Sequence, residues 1–438
     1  MTDKNADLIK TLPGYSKKLP SKTYGGYIPL SNNKNIYYMF IEAEKAPSKA
    51  PLLFWTNGGP GCSGLIGLFH ELGPYRPTRN GKLAYNPFTW TKFANVVFME
   101  QPIGVGFSWS KNKKNYKSDD EKSAKDNLEF ILNFFLKYPE YRANPLYLTS
   151  ESYGGHYIPL WAREIVNYNK RDDKFLNLKG MMIGNPYVNY LSGIAAQIES
   201  YWGHQMIPKE LWKKFTKRKC NQLEGKKNWR KTWKKNRCQS LSEKIEDLVG
   251  KHNPYAVDYP LCVTNQQSNL ISFYKKGRKT IRKKYNPCVE KFTETYLNRK
   301  DVKDAIHAKN LKTNWKPCSD ISRYSEKDSY VSIVPVINKL LNDPNLKDMD
   351  VLIMSGTEDA ICATVGTQKW LKQLDITPVK KWKQYFVNKN PAGYMSKYNA
   401  NKQKKLWFAT VIGAGHELPL YRPEIAYHLM KKFVFNKL

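Results

Sequence analysis

The sequence predicts an α/β protein built on a central, mostly parallel sheet with an inserted, mainly helical cap. Three observations carry the expectation of the sheet. Short apolar runs such as Leu52-Leu-Phe-Trp-Thr56, Leu146-Tyr-Leu-Thr149 and Val351-Leu-Ile-Met354 read as strands buried on both faces. They alternate with helical segments, as one α/β unit with an insertion would. Each run leads into a turn or loop that carries polar, chemistry-bearing residues. With 438 residues and 41% hydrophobic content, the chain can bury a large core.

The first run, Leu52–Thr56, enters Asn57-Gly-Gly-Pro-Gly-Cys-Ser63. Alone this is a plain strand-ending turn. Beside a nucleophile, its backbone N–H groups would suit a developing oxyanion. The second run belongs to Leu146-Tyr-Leu-Thr-Ser-Glu-Ser-Tyr-Gly-Gly-His-Tyr-Ile-Pro159, where a strand runs straight into Ser152. A tight strand-to-helix turn that exposes a serine oxygen needs small neighbours, and Ser150, Gly154 and Gly155 supply them. Ser150 departs from G-x-S-x-G, so this segment alone also fits an ordinary turn. Later, Val351-Leu-Ile-Met-Ser-Gly-Thr-Glu-Asp-Ala-Ile-Cys362 ends in a loop carrying Asp359. Phe408-Ala-Thr-Val-Ile-Gly-Ala-Gly-His-Glu-Leu-Pro419 ends in a glycine turn carrying His416. Ser152, Asp359 and His416 thus follow one another in the order of the α/β-hydrolase fold, each just past a candidate strand. Serine needs a neutral imidazole to take its proton, and the imidazole needs a buried carboxylate to fix its tautomer. The Tyr153 amide and the Asn57–Ser63 loop would complete an oxyanion hole.

Beyond these elements, the chain carries Trp55-Thr-Asn-Gly-Gly-Pro-Gly-Cys-Ser63, Glu71-Leu-Gly-Pro74, Gln101-Pro-Ile-Gly-Val-Gly-Phe-Ser108, Glu151-Ser-Tyr-Gly-Gly-His-Tyr157, Tyr296-Leu-Asn-Arg-Lys-Asp-Val302 and Gly413-Ala-Gly-His416. Through them it resembles the serine carboxypeptidase family, the group of carboxypeptidase Y and cathepsin A, from about Leu12 to the C-terminus. The resemblance implies an α/β-hydrolase that removes single C-terminal residues through an acyl-enzyme, without metal or cofactor. Position by position, it makes Ser152 the nucleophile, His416 the general base, Asp359 its orienter, and the Gly59 and Tyr153 amides the oxyanion hole. Trp55, Asn57, Gly58, Glu71 and Glu151 match the set that grips the substrate carboxylate. Two neighbouring glutamates facing an anion cannot all be ionised, so the pair should share a proton and favour acid pH. Glu100 stands where relatives usually have Asp. Glu417 matches a position that in some members faces the leaving-residue pocket, where it would suit Lys or Arg; a solvent-facing Glu417 is the equal alternative.

The family pattern also implies disulfides Cys62–Cys318, Cys220–Cys238 and Cys262–Cys288, with Cys362 free beside Asp359. It implies an insertion after Ile183-Gly-Asn-Pro186, dividing the chain into core residues 1–189, a helical cap over 190–318 and core residues 319–438. Metal binding is disfavoured because no C-x-x-C pair or cysteine–histidine cluster has ligand spacing. Members are often cleaved in the cap, and the basic run 275–284, between Cys262 and Cys288, would be a natural cutting site.

Charge raises a second hypothesis. The net charge is +34, and between Lys209 and Arg237 thirteen Lys or Arg face only Glu210 and Glu224, interleaved with Trp212, Trp229 and Trp233. Such a stretch could bind a polyanion on a hydrolase scaffold, although no recognised nucleic-acid module accompanies it. A lysine-rich solvated surface explains the same residues. Within the family, an acyltransferase is the remaining enzymatic alternative, and a dimer is an open assembly. No apolar stretch approaches a membrane span, and Met1–Asp7 lacks the apolar region of a signal peptide. Seven cysteines favour an oxidising compartment, secreted or a vacuole- or lysosome-like lumen. The absence of any N-x-S/T sequon leaves a virion or other non-secretory setting open.

Overall fold

The computed structural model describes residues 3–171, 175–223, 228–262, 285–308, 314–344, 346, 348–401 and 404–438. Its centre is a twelve-stranded sheet. Six strands at its heart are parallel, in the spatial order Asn95–Met99, Leu52–Thr56, Leu146–Glu151, Leu178–Gly184, Asp350–Gly356 and Lys404–Val411. Antiparallel strands flank them. Leu8–Ile9, Thr23–Leu30 and Lys34–Ile41 lie on one side, and the hairpin Thr377–Val387 and Asn390–Ala400 on the other.

Side chains alternate across this sheet, and the two faces feed two separate cores. Leu52, Phe54, Leu148, Val351 and Ile353 pack on one face beneath the helices Asp120–Lys137, Gly154–Arg171 and Val334–Asn342. Leu53, Trp55, Leu352 and Met354 pack on the other against Val289–Leu297 and Pro423–Val434. The helix after the loop Gln101–Ser108 shows why its segment folds locally. Asp119 caps Asp120–Lys137 by accepting from the Lys122 amide, acids fill its first turn, and Ala124, Phe130, Ile131, Phe134 and Phe135 give it one buried face.

Between Gly184 and Asp350 the described residues include the helices Tyr190–Gly203, Lys209–Lys217, Trp229–Lys235, Cys238–Val249, Val289–Leu297 and Lys300–Ala305, before Val334–Asn342. The first four build a small core of their own from Leu191, Ile198, Phe215, Trp233, Leu241 and Ile245 around the Cys220–Cys238 disulfide. Ala360, next to Asp359, joins that core and seats the helices beside the loop. The other two disulfides are Cys62–Cys318 and Cys262–Cys288, and Cys362 is buried and free.

The tryptophans of the basic run turn inward rather than outward. Trp233 is buried, Trp212 stacks on Trp202 with centroids 5.8 Å apart, and Trp229 stacks on Tyr190 at 5.2 Å. The lysines around them are exposed. The run 275–284 and Glu224, Lys226 and Lys227 lie outside the described residues. At the far edge of the sheet, Thr377–Val387 is exposed along most of its length and carries Lys380, Lys381 and Lys383. Among the described residues no helix is long and apolar enough to cross a membrane.

Candidate active site

Ser152 sits where the strand Leu146–Glu151 breaks into the helix Gly154–Arg171, with φ at 58°, a region L-residues rarely occupy. Its backbone is over-determined: the Ser152 amide donates to Gly184 O at 3.0 Å, and Ser152 O accepts from the Tyr187 and Gly155 amides at 2.8 and 2.9 Å. The turn leaves no room for larger neighbours. A Cβ on Gly154 would stand 2.1 Å from Ser150 Oγ, and one on Gly155 would stand 2.2 Å from Tyr187 O.

The loops after the last two parallel strands meet in the expected dyad. His416 Nδ1 lies 2.7 Å from Asp359 Oδ2, and Asp359 Oδ1 accepts from the Ile361 and Cys362 amides at 2.8 and 3.2 Å. All of these donors are engaged by the carboxylate, so its plane, and with it the imidazole, is fixed. Asn185, which the sequence reading passed over, ties the strand ends together. Its Nδ2 donates to Gly415 O and His416 O at 3.0 and 2.6 Å, while its Oδ1 accepts from the Gly356 amide at 2.8 Å. The Tyr255 ring stands edge-on to His416 with centroids 4.8 Å apart.

Cys362 is part of the same knot. Asp359, Cys362 and His416 are all buried, with ligand atoms within 4.8 Å of one another, and form the one cluster of metal-ligating type among the described residues. Two of its three members are already committed to each other through the His416–Asp359 bond. Burial pushes the Cys362 thiol well above its usual range, reinforced by Asp359 and Glu151 and opposed by a hydrogen bond with Ser152.

On the other side of Ser152 lies the glycine loop. A Cβ on Gly58 would come within 2.5 Å of the Tyr153 amide nitrogen, so the loop lies directly against the elbow. Gly59 takes φ +107°, which glycine alone adopts without strain. Ser152, His416, Asn57, Gly58, Gly59, Glu151 and Glu417 open on one cleft of about 1020 Å³.

The predicted carboxylate-binding residues form one buried chain. Asn57 Oδ1 accepts from Trp55 Nε1 at 2.8 Å and from the Gly67 amide at 3.0 Å. This fixes the amide so that Nδ2 donates to Glu71 Oε1 at 2.9 Å and Glu151 Oε1 at 2.8 Å. A wide π turn over Gly67–Glu71 brings Glu71 into place. Burial raises the Glu71 carboxyl to about 7, with the Asn57 hydrogen bond opposing it. Burial and the neighbouring Glu71 drive Glu151 well above the carboxylate range. Both shifts run in the direction of a pair that shares a proton.

Glu417 lines the cleft rather than facing open solvent, with Glu290 and Glu294 of the helix Val289–Leu297 lining it too. Burial lifts the Glu417 carboxyl well above its usual range, with Glu71 and Glu290 adding to the effect and Arg76 opposing it. Sequence reasoning missed Glu290. Nothing in its local spacing distinguishes it from a surface helix residue, and only the packing of that helix beneath the cleft reveals it.

Comparison with known proteins shows the family and the fold. A family model described as serine carboxypeptidase matches residues 13–436. Serine carboxypeptidase-like 36 of Arabidopsis thaliana is 34% identical over 440 residues, which cover 99% of this chain and 86% of that protein. Serine carboxypeptidase 24 of the same plant is 32% identical over 458 residues, 99% of this chain and 93% of the relative. Among solved structures, the prohormone-processing carboxypeptidase Kex1ΔP of Saccharomyces cerevisiae superposes with a TM-score of 0.78 at 20% identity, covering all of this chain and 97% of that one. That likeness shows the shared α/β-hydrolase fold.

Proposed function

Because the chain belongs to the serine carboxypeptidase family, we propose that it is a serine-type carboxypeptidase that releases single C-terminal residues from peptides at acid pH. In this reading Ser152 Oγ attacks the last peptide carbonyl while His416 takes its proton, and Asp359 holds the imidazole and steadies its charged form. The carbonyl oxygen, as it becomes negative, is received by the Gly59 and Tyr153 amides. His416 then passes its proton to the departing amine, and water, activated by the same imidazole, releases the shortened peptide from Ser152.

The observation that carries the exopeptidase reading is the buried Asn57–Glu71–Glu151 chain. An endopeptidase has no use for two acids sharing a proton beside its nucleophile. A free C-terminal carboxylate does, because the protonated pair donates to it where an ionised pair would repel it. Gly58, pressed against the elbow, contributes backbone to the same pocket. The same chain favours hydrolysis over acyl transfer to an alcohol, since it selects peptide termini. Glu417, with Glu290 and Glu294, favours departing residues with basic side chains.

The polyanion reading draws support from the exposed lysines of the cap alone. Trp212, Trp229 and Trp233, which would have stacked on bases, are spent on rings and core of the protein itself. Three disulfides fit an oxidising secretory or vacuolar compartment.

The test is hydrolysis of N-blocked dipeptides with free and with amidated C-termini from acid to neutral pH, with Ser152→Ala alongside. Release from the free acid only, lost in the variant, is expected. Equal cleavage of the amide would remove the carboxylate clamp from the account. Acyl transfer to added alcohol without hydrolysis would make the protein a transferase.

A further inference from the structure

Glu100 lies at the end of the strand Asn95–Met99 and is fully buried. Its main chain is pinned to the sheet, the amide donating to Tyr37 O at 3.0 Å and the carbonyl accepting from Ser108 Oγ. Its carboxylate receives three donors. Ser63 Oγ and Trp315 Nε1 donate to Oε1, the latter at 2.7 Å, and the Phe107 amide donates to Oε2 at 2.6 Å. The next loop is shaped around this side chain, because a Cβ on Gly106, whose φ is +51°, would stand 1.9 Å from Oε1.

Both donors on Oε1 lead to the loop that carries Gly59. Ser63 closes that loop directly. Trp315 opens the segment that grips the loop from outside, where the Ser63 amide donates to Pro317 O at 2.8 Å, the Ser319 amide donates to Gly61 O at 2.9 Å, and Cys318 is bonded to Cys62. A buried acid stabilises a fold no better than well-packed apolar residues would, so its presence at this junction calls for another account. We propose that Glu100 is a positioning residue for the oxyanion hole: anchored in the sheet, it holds Ser63 and Trp315 so that the Gly59 amide stays against the elbow at Ser152. The inference rests on the reading that the Gly59 and Tyr153 amides receive the oxyanion.

The convergence of three donors makes the carboxyl hard to replace, since even when protonated both of its oxygens accept hydrogen bonds and an amide nitrogen does not. The amide of Glu100→Gln would turn an N–H toward one of them, leaving two donors face to face. Ser63→Ala is the milder variant, deleting one donor and leaving the Trp315 and Phe107 bonds in place. The measurement is the second-order rate at which a fluorophosphonate labels Ser152, since its P=O oxygen must enter the oxyanion hole whatever the C-terminal specificity. Hydrolysis of N-blocked dipeptides is followed in parallel. Labelling is expected to fall roughly 10- to 100-fold in Glu100→Gln and several-fold in Ser63→Ala, with kcat falling alike and KM unchanged. Folded variants that lose thermal stability yet label at the wild-type rate, or that lose activity through KM alone, would overturn the proposal. If labelling falls as expected while the wild-type protein hydrolyses no dipeptide, the positioning role stands and the peptidase reading fails.

Discussion

Ser150 Oγ donates to Thr56 O at 2.6 Å, across the parallel pair whose strands lead into the nucleophile and the oxyanion loop. The residue that departs from the usual elbow sequence thus ties the two halves of the site together. It also fills the space beside Gly154, where an added Cβ would meet Ser150 Oγ and Cβ at 2.1 and 2.4 Å.

A double-mutant cycle tests this contact. Gly154→Ala alone should lower stability by about 1–3 kcal/mol through overpacking. Ser150→Gly alone should cost about 1–2 kcal/mol for the lost hydrogen bond and added chain freedom. Combined, the two should couple favourably, because Ser150→Gly removes both atoms that the new methyl meets. Purely additive denaturation energies would sink the argument.

The buried acids make stability depend on pH in an unusual direction. Glu71 and Glu100 are each raised by burial to about 7, and Glu151 and Glu417 well above the normal range. A carboxyl whose folded pKa lies above its unfolded value binds its proton better when folded. Its favourable contribution is complete below the unfolded pKa near 4.5 and is lost as pH rises through about 7. For Glu100 alone the loss is roughly 3 kcal/mol. The Tm should therefore be higher near pH 5 than near pH 8, and a Tm rising over that range in calorimetry would contradict it.

Glu71→Gln separates binding from chemistry. The variant cannot share an acid proton with Glu151, so KM for free-acid dipeptides should rise roughly 10-fold or more at acid pH with kcat little changed. In the wild type, KM should climb as rising pH strips the shared proton from the Glu71–Glu151 pair, both of whose carboxyls burial lifts above the ordinary range. Steady-state kinetics from acid to alkaline pH check both. A kcat loss at constant KM would instead assign Glu71 to the chemical step.

Glu417→Met addresses the leaving residue. The ratio of kcat/KM for C-terminal Lys over Leu should fall about tenfold, as an apolar wall replaces a carboxyl in a partly desolvated pocket. A cationic side chain would draw Glu417 into its charged form, so the wild-type ratio should also grow with rising pH. An unchanged ratio in the variant would return the preference to Glu290 and Glu294.

What could be seen in the sequence was whatever is local to a strand end. Ser152, Asp359 and His416 each follow an apolar run, and such runs become parallel strands with their loops on one edge. Relations across the fold were out of reach. That Glu417 lines the cleft beside Glu290 and Glu294 is set by the tertiary fold, and Asn185 acquires its bridging role only when three strand ends meet. The interleaved tryptophans of the cap suggested a binding face, yet aromatic residues among lysines serve equally well to build a small core, and Trp233 does so. The long hairpin Thr377–Ala400 was missed because its outer strand is exposed on both faces and shows no apolar alternation.

That outer strand gives the molecule its limit. Over eleven residues it offers main-chain donors and acceptors to anything that approaches, and Trp382 and Phe386 add exposed apolar surface. A second copy pairing edge to edge would bring its own Lys380, Lys381 and Lys383 against these, like charge upon like. The lysines thus act as terminators. Like charge set against like opposes growth of the twelve-stranded sheet by edge-to-edge pairing.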